Sequence, residues 1–255
     1  MCIIFIAKNV HPDHSLIIAA NRDEYFARPT QAPHWWPDAP HLFAGKDLQA
    51  GGTWLGHNRQ NRIAGITNLR QPDLYQSGAK SRGELVKRFL DIETQSTEAA
   101  IAEYTSFLRE SYDQYNPFNL LFGDADKLVI FSSATGVAQE VSDGVHSLSN
   151  GLPDDIWPKM HCGTRSLSEY LSANERLDSE NIFSILTDST LHNESSASTK
   201  GIPLGVENLL SSIYIPEFNL NGVKYGTRSS SVISIKNNDL SKGVIMKSRS
   251  YTDDK

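Results

Sequence analysis

Cysteine at position 2 is the residue through which this chain could do covalent chemistry. A thiol is a weak nucleophile at its free pKa of about 8.5 and is activated by a neighbouring base or cation. Residue 2 is small, so removal of Met1 is expected. Cys2 would then carry a thiol and a free α-amine on one carbon, and the amine, with a reference pKa of roughly 7.7 to 8.0, could serve as the base. Attack on an amide or thioester carbonyl also needs donors for the developing oxyanion and charged groups to hold the amine. Asn68, Asn150, Arg22, Asp23 and Arg228 are of the right types, though spacing alone does not show that they converge. Each also has a plainer reading. An apolar-flanked cysteine is usually inert core, Arg22-Asp23-Glu24 reads as a solvated strand end, and Asn150-Gly151 reads first as a tight turn.

Other chemistries find less support. His11 and His14, or His34 and His41, lack a close set of Cys or acidic partners, so no metal site is expected. Gly51-Gly52 is not followed by the Lys-Ser/Thr of a phosphate loop, and no Cys-x-x-Cys-His segment offers covalent haem attachment.

The candidate residues must be positioned by the elements around them. Cys2 to Ala7 and Leu16 to Ala20 are apolar runs of strand length joined by turn formers, which predicts a buried hairpin running into Asn21-Arg22-Asp23-Glu24. Pro29, Pro33, Pro37 and Pro40 around His34-Trp35-Trp36 predict an ordered loop, its tryptophans covering the core edge. Gly51 to Gly56 and Arg62 to Asn68 read as a second hairpin. Ser81-Arg82-Gly83-Glu84 is a capping-box pattern opening a helix to Leu90, and a second helix spans Thr97 to about Arg109. Four short runs between Phe118 and Leu148 predict a meander. Two further helices are expected over Trp157 to Leu171 and Asp178 to Leu186, followed by a loop over Asp188 to Lys200. Ile213 to Ile215, Tyr225 to Ile235 and Gly243 to Ser248 read as closing strands. The order strands, helices, strands, helices, strands suits two antiparallel sheets between helix pairs, because each sheet then buries both faces.

Composition sets the outer bounds. A chain of 255 residues fits one domain, here 1–255, and 39% hydrophobic with 21% charged residues is the balance of a globular protein with a real core. A net charge of −6 argues against nucleic acid or an anionic membrane as partner, and no basic patch is visible along the chain. Two cysteines suggest no disulfide framework. The opening apolar run is shorter than a signal segment, and no stretch approaches the ~18 residues of a membrane span. A reducing, aqueous compartment, the cytoplasm, is the expected location.

Met1 to Phe5, Ala19 to Glu24, Arg28-Pro29, Gly51 to Gly56, Thr67-Asn68, Ser81 to Leu85, Leu148 to Asn150 and Tyr225 to Arg228, taken together and in order, resemble the NRDE family, the transport and Golgi organisation protein family. That family is similar to N-terminal nucleophile hydrolases, in particular the cysteine branch of bile-salt hydrolases and penicillin V acylases. The resemblance implies an α+β fold, a four-layer αββα sandwich of two antiparallel sheets flanked by helices. It implies Cys2 as nucleophile, Asn150 as an oxyanion-hole asparagine and Arg228 as the arginine beside the nucleophile. Arg22 and Asp23 fall where the hydrolases carry a strand-end Arg and Asp, with Asn21 or Glu24 able to share those roles. Asn68 becomes a second substrate-side asparagine, and Asn21, Glu24 and Trp54 are expected at the ligand. The family is linked to intracellular haem trafficking and acyl-lipid metabolism, so two functions stand side by side. One is Cys2-dependent hydrolysis of a linear amide or thioester, which requires no cofactor. The other is a non-catalytic carrier or chaperone for haem or another hydrophobic acyl ligand.

Overall fold

In a computed structural model, residues 2–192, 204–237 and 243–251 are described. The chain opens with six strands: β1 (Cys2–His11), β2 (His14–Tyr25), β3 (Thr30–Trp36), β4 (Ala39–Asp47), β5 (Leu55–Asn58) and β6 (Ile63–Asn68). Helices α1 (Gly83–Leu90) and α2 (Thr97–Ser111) follow, then strands β7 (Phe118–Gly123), β8 (Leu128–Ser132), β9 (Val137–Glu140) and β10 (Gly144–Leu148). Helices α3 (Pro158–Ala173), α4 (Ser179–Leu186) and α5 (Leu204–Leu209) lead to β11 (Phe218–Leu220), β12 (Val223–Lys236) and β13 (Ile245–Ser250).

Two antiparallel sheets result. One has the order β10-β1-β2-β12-β11, with β13 also paired to β12; the other runs β3-β4-β5-β6-β7-β8-β9. Strand alternation explains the layers. On β1, Ile4 and Ile6 meet Leu55, Ile63 and Leu121 of the other sheet, while Ile3, Phe5 and Ala7 meet Met160, Leu167, Ile182 and Phe183 of α3 and α4. On the far side, Leu85, Phe89, Ala100, Tyr104 and Leu108 of α1 and α2 pack on Phe118, Leu120 and Phe122. The four-layer αββα sandwich follows from these three apolar interfaces. Gly163 lets α3 lie close on β1, since a Cβ there would sit 2.1 Å from Cζ of Phe5.

Several expectations need correction. The proline-rich stretch is not a loop but the strands β3 and β4. Pro33 is tolerated because β3 is an edge strand, bulged between Gln31 and His34, where a missing N–H breaks no ladder. Trp36 is buried and donates to the Ala44 carbonyl at 3.0 Å, whereas Trp35 is exposed beneath Arg59. The meander stops at β9. β10 leaves it and pairs with β1, Ile4 opposite Leu148, across a link where Gly144 takes φ +130. Ile213 to Ile215 is not a strand; Ile213 instead packs under α3 and α4. The helix starting near Ser81 has no side-chain cap, for Arg82 occupies the cap position. The loop expected over Asp188 to Lys200 lies from 193 onward outside the described residues. Among the described residues, no helix is long and apolar enough to cross a membrane.

Candidate active site

The hairpin of β1 and β2 places Cys2 opposite Arg22, and β12 places Ser229 opposite Arg22 on the other side. Thr227 pairs with Asp23, so Arg228 is the extra residue of a β-bulge. By strand alternation Cys2 and Arg22 face the space between the sheets, at its open end. β10 ends beside them and delivers Ser149 and Asn150.

Asn150 is 1% exposed and is not a hairpin tip, so the tight-turn reading of Asn-Gly fails here. Its Oδ1 accepts from the Cys2 backbone N–H at 3.1 Å, and its Nδ2 donates to the Asn68 carbonyl at 2.6 Å. Those partners fix the orientation of the amide, because an N–H can only donate and a carbonyl can only accept. Ser149 Oγ donates to the Cys2 carbonyl at 2.9 Å. Thr67 Oγ1 donates to the Ser149 carbonyl at 2.6 Å, and Asn119 Nδ2 to the Gly151 carbonyl at 2.8 Å. The first strand is thus tied at its Cys2 end by Ser149 and Asn150, and Thr67 and Asn119 hold that segment in turn. Asn150 accepts from the Cys2 backbone N–H and its Nδ2 is already engaged by the Asn68 carbonyl, so as placed it ties the Cys2 nitrogen.

Charged groups surround this end of the strand. Burial pushes the Cys2 thiol above its ordinary pKa, opposed in part by an Asp23 backbone N–H and by Arg22. Burial likewise raises the Asp23 carboxyl, opposed by the positive charge of Lys159 and a hydrogen bond that Thr227 Oγ1 donates at 2.6 Å. Arg22 lies 4.3 Å above the Trp54 ring, donates to Thr30 Oγ1 at 3.3 Å and has Glu24 Oε2 at 3.9 Å. Arg28 is paired with Asp47 at 2.6 Å. Arg228 Nη1 donates to the carbonyls of Tyr25 and Arg28.

The sequence-predicted residues therefore separate into three groups. Cys2, Asn150, Arg22, Asp23 and the Asn68 backbone meet at one end of β1, with Trp54 and Glu24 around Arg22. Arg228 lies one step further out, directed at Tyr25 and Arg28. Asn21 faces the helix layer instead. Its Nδ2 donates to the carbonyls of Leu186 and Ile213 at 2.8 and 2.9 Å, and its Oδ1 accepts from Ser230 at 2.6 Å, so its bonding is spent inside the protein. The side chain of Asn68 is exposed. Sequence reading missed Arg82, whose guanidinium is half-buried within electrostatic reach of Cys2 and Glu24 and donates to the Pro117 carbonyl at 3.1 Å. A signal existed: a cation at a helix N-terminus opposes the helix dipole, so an arginine there has a reason outside the helix.

Comparison with known proteins places this geometry in context. The model of the family described as Transport and Golgi organisation 2 matches residues 1–249. A human protein named Transport and Golgi organization protein 2 homolog is 30% identical over 207 residues, covering 76% of this chain and 72% of its own. A bovine protein of the same name is 33% identical over 190 residues, covering 69% and 67%. Among solved structures, a variant conjugated bile acid hydrolase from Clostridium perfringens aligns over 98% of this chain and 97% of that one, with a TM-score of 0.51 and 11% identity. At that identity the likeness is one of fold, the N-terminal nucleophile hydrolase sandwich. The family match along nearly the whole chain is of a different order, and by it the chain belongs to the Transport and Golgi organisation 2 family.

Proposed function

We propose that the protein hydrolyses an amide or thioester bond of a small molecule, with Cys2 as nucleophile after removal of Met1. The observation that carries this reading is the hydrogen bond from the Cys2 nitrogen to the buried Asn150 Oδ1 at 3.1 Å. Asn150 is an expensive residue to bury, and it spends an acceptor on the one atom that would become the catalytic amine. The raised thiol pKa fits the same scheme, since a thiol held protonated needs a base next to it.

In this mechanism the α-amine of Cys2 takes the thiol proton, and the sulfur attacks the carbonyl carbon to form a tetrahedral oxyanion. Collapse expels the amine or thiol leaving group, which takes up the proton, and water then cleaves the acyl-thioester on Cys2 and restores the thiol. Asn150 holds the amine, Asp23 is proposed as the carboxylate beside it, and Arg22 stabilises negative charge on the sulfur. Asn68, tied to Asn150 through its backbone carbonyl and exposed at its side chain, is proposed as the oxyanion donor at the strand end.

Intact mass establishes whether Met1 is removed, and short-chain acyl thioesters and acyl anilides then test turnover. The processed protein is expected to turn over one of these and to carry a trapped acyl adduct, both lost in Cys2→Ala. Turnover that survives Cys2→Ala overturns the proposal, and turnover by protein retaining Met1 overturns the self-activated step.

A further inference from the structure

The net charge of −6 conceals a locally basic site. Arg22, Arg28, Arg82 and Arg228 all feel Glu24 electrostatically, so four guanidiniums from three distant parts of the chain gather about one carboxylate. Asp47 is matched to Arg28 at 2.6 Å, and Glu24 lies 3.9 Å from both Arg22 and Arg28. Among the described residues, Arg82 and Arg228 have no ion-pair partner.

Next to this cluster is a cavity of about 250 Å³, lined by Arg22, Trp54, Thr30, Arg228, Ser229 and Ser248 among others. Arg22 and Arg228 are 6% and 9% exposed. Both are held in place before any ligand arrives. Arg22 is fixed on the Trp54 ring and Thr30, and Arg228 is fixed by the Tyr25 and Arg28 carbonyls. Nε of Arg228 is buried without a hydrogen-bond partner. Two prepositioned guanidiniums, one with an unused buried donor, with hydroxyls beside them, match a planar or tetrahedral oxyanion. The volume is below the roughly 300 to 1,000 Å³ of pockets for drug-sized ligands, so it suits a headgroup rather than a whole large ligand.

We propose that this cavity is a binding site for an anionic group, a carboxylate or a phosphate, carried by the small molecule that is cleaved at Cys2. Its place in catalysis rests on the hydrolase reading above; binding of the anion does not. Arg22 links the two, since it faces Cys2 across the hairpin and lines the cavity.

The test uses the full chain with Cys2→Ala, so that no turnover intervenes, and titrates it separately with inorganic phosphate, acetate and uncharged glycerol. Tryptophan fluorescence reports through Trp54. A saturable change is expected with phosphate, acetate or both, and none with glycerol; the anion that saturates names the source. Arg228→Gln should weaken binding by roughly tenfold or more, as loss of a charge-assisted bond implies. Ala32→Phe, at an exposed position on the cavity wall, keeps every arginine and should also abolish binding, which decides the matter if Arg228→Gln misfolds. Arg165→Gln on α3 should bind as the parent does. No saturation by either anion, or undiminished binding by folded Arg228→Gln or by Ala32→Phe, overturns the proposal. Anion binding that fails while Cys2-dependent turnover is present removes only this site, and the converse removes only the hydrolase reading.

Discussion

Asn150→Ala is the sharpest perturbation of the Cys2 end of β1. It deletes the acceptor of the Cys2 N–H at 3.1 Å and the donor to the Asn68 carbonyl at 2.6 Å. A buried polar group left without its partner costs ~1–3 kcal/mol. Both bonds are only partly buried, so water can replace part of each lost partner. Together the loss should be roughly 2–4 kcal/mol. With a urea m-value of about 3 kcal/mol/M for a chain of this size, the unfolding midpoint should fall by about 1 M. Asn150→Leu keeps the branched shape, leaves no cavity and loses the same bonds, so it separates hydrogen bonding from cavity formation and should cost at least as much. In a Cys162→Ser background, alkylation of Cys2 should accelerate in both variants because the strand end is no longer tied. A midpoint within about 0.2 M of the parent in Asn150→Leu would refute the assignment of Asn150 as the tether of the Cys2 nitrogen.

Three further outcomes are expected. His57, 4% exposed and stacked on Phe43, is lowered by burial to about 4, against 6.5 for the free side chain. The unfolded chain therefore binds the proton first, so stability is full above pH ~6.5 and falls toward pH ~4 by about 3 kcal/mol; urea midpoints across that range should show it, and His57→Leu should flatten the slope. Gly163→Ala would put a Cβ 2.1 Å from Cζ and 2.5 Å from Cε1 of the fully buried Phe5, an overpacking cost of about 1–3 kcal/mol and a melting temperature lower by about 3–10 °C. An unchanged melting temperature would mean that α3 does not press on β1 as described. Arg82→Gln removes a cation within reach of the Cys2 thiolate. Alkylation of Cys2 at neutral pH should slow roughly two- to fivefold, the scale of a partly screened pair worth ~0.5–1 kcal/mol, and equal rates would place Arg82 outside the site.

Where the determinants are local, the sequence showed the fold. The alternation of Ile3, Phe5 and Ala7 against Ile4 and Ile6 spans five residues and sets both faces of β1. The helical spacing of Ala100, Tyr104 and Leu108 is equally local, and α2 starts with Ser96 Oγ accepting from the Ala99 N–H, as such spacing leads one to expect. Errors arose where pairing is remote. Nothing near Val145 says that β10 joins β1 rather than β9; that choice is made by Ile4 meeting Leu148 in the space between the sheets. Pro33 misled for a related reason, because whether a proline is allowed depends on whether its strand is an edge, and edge position is a property of the whole sheet.

The site was half legible, and its hidden half shares a cause. Asn150-Gly151 and Ser81-Arg82-Gly83-Glu84 both match short-range patterns, a turn and a helix cap, that account for their residues without reference to anything distant. In the structure both patterns yield to contacts far away in sequence, Asn150 to Cys2 and Asn68, and Arg82 to Pro117 and the thiol. The arginine cluster is hidden more thoroughly, since Arg22, Arg28, Arg82 and Arg228 make no run and the chain as a whole is acidic. Burial lowers the pKa of Arg22, Arg82 and Arg228, and Arg22 lowers that of Arg228 further, so gathering them disfavours their charged forms. Folding alone would be served as well by a neutral residue at most of these positions. Like charges brought together out of water beside an unpartnered Arg228 Nε, with Glu24 and Asp47 as their carboxylate partners among the described residues, form an arrangement that an anion from outside would complete.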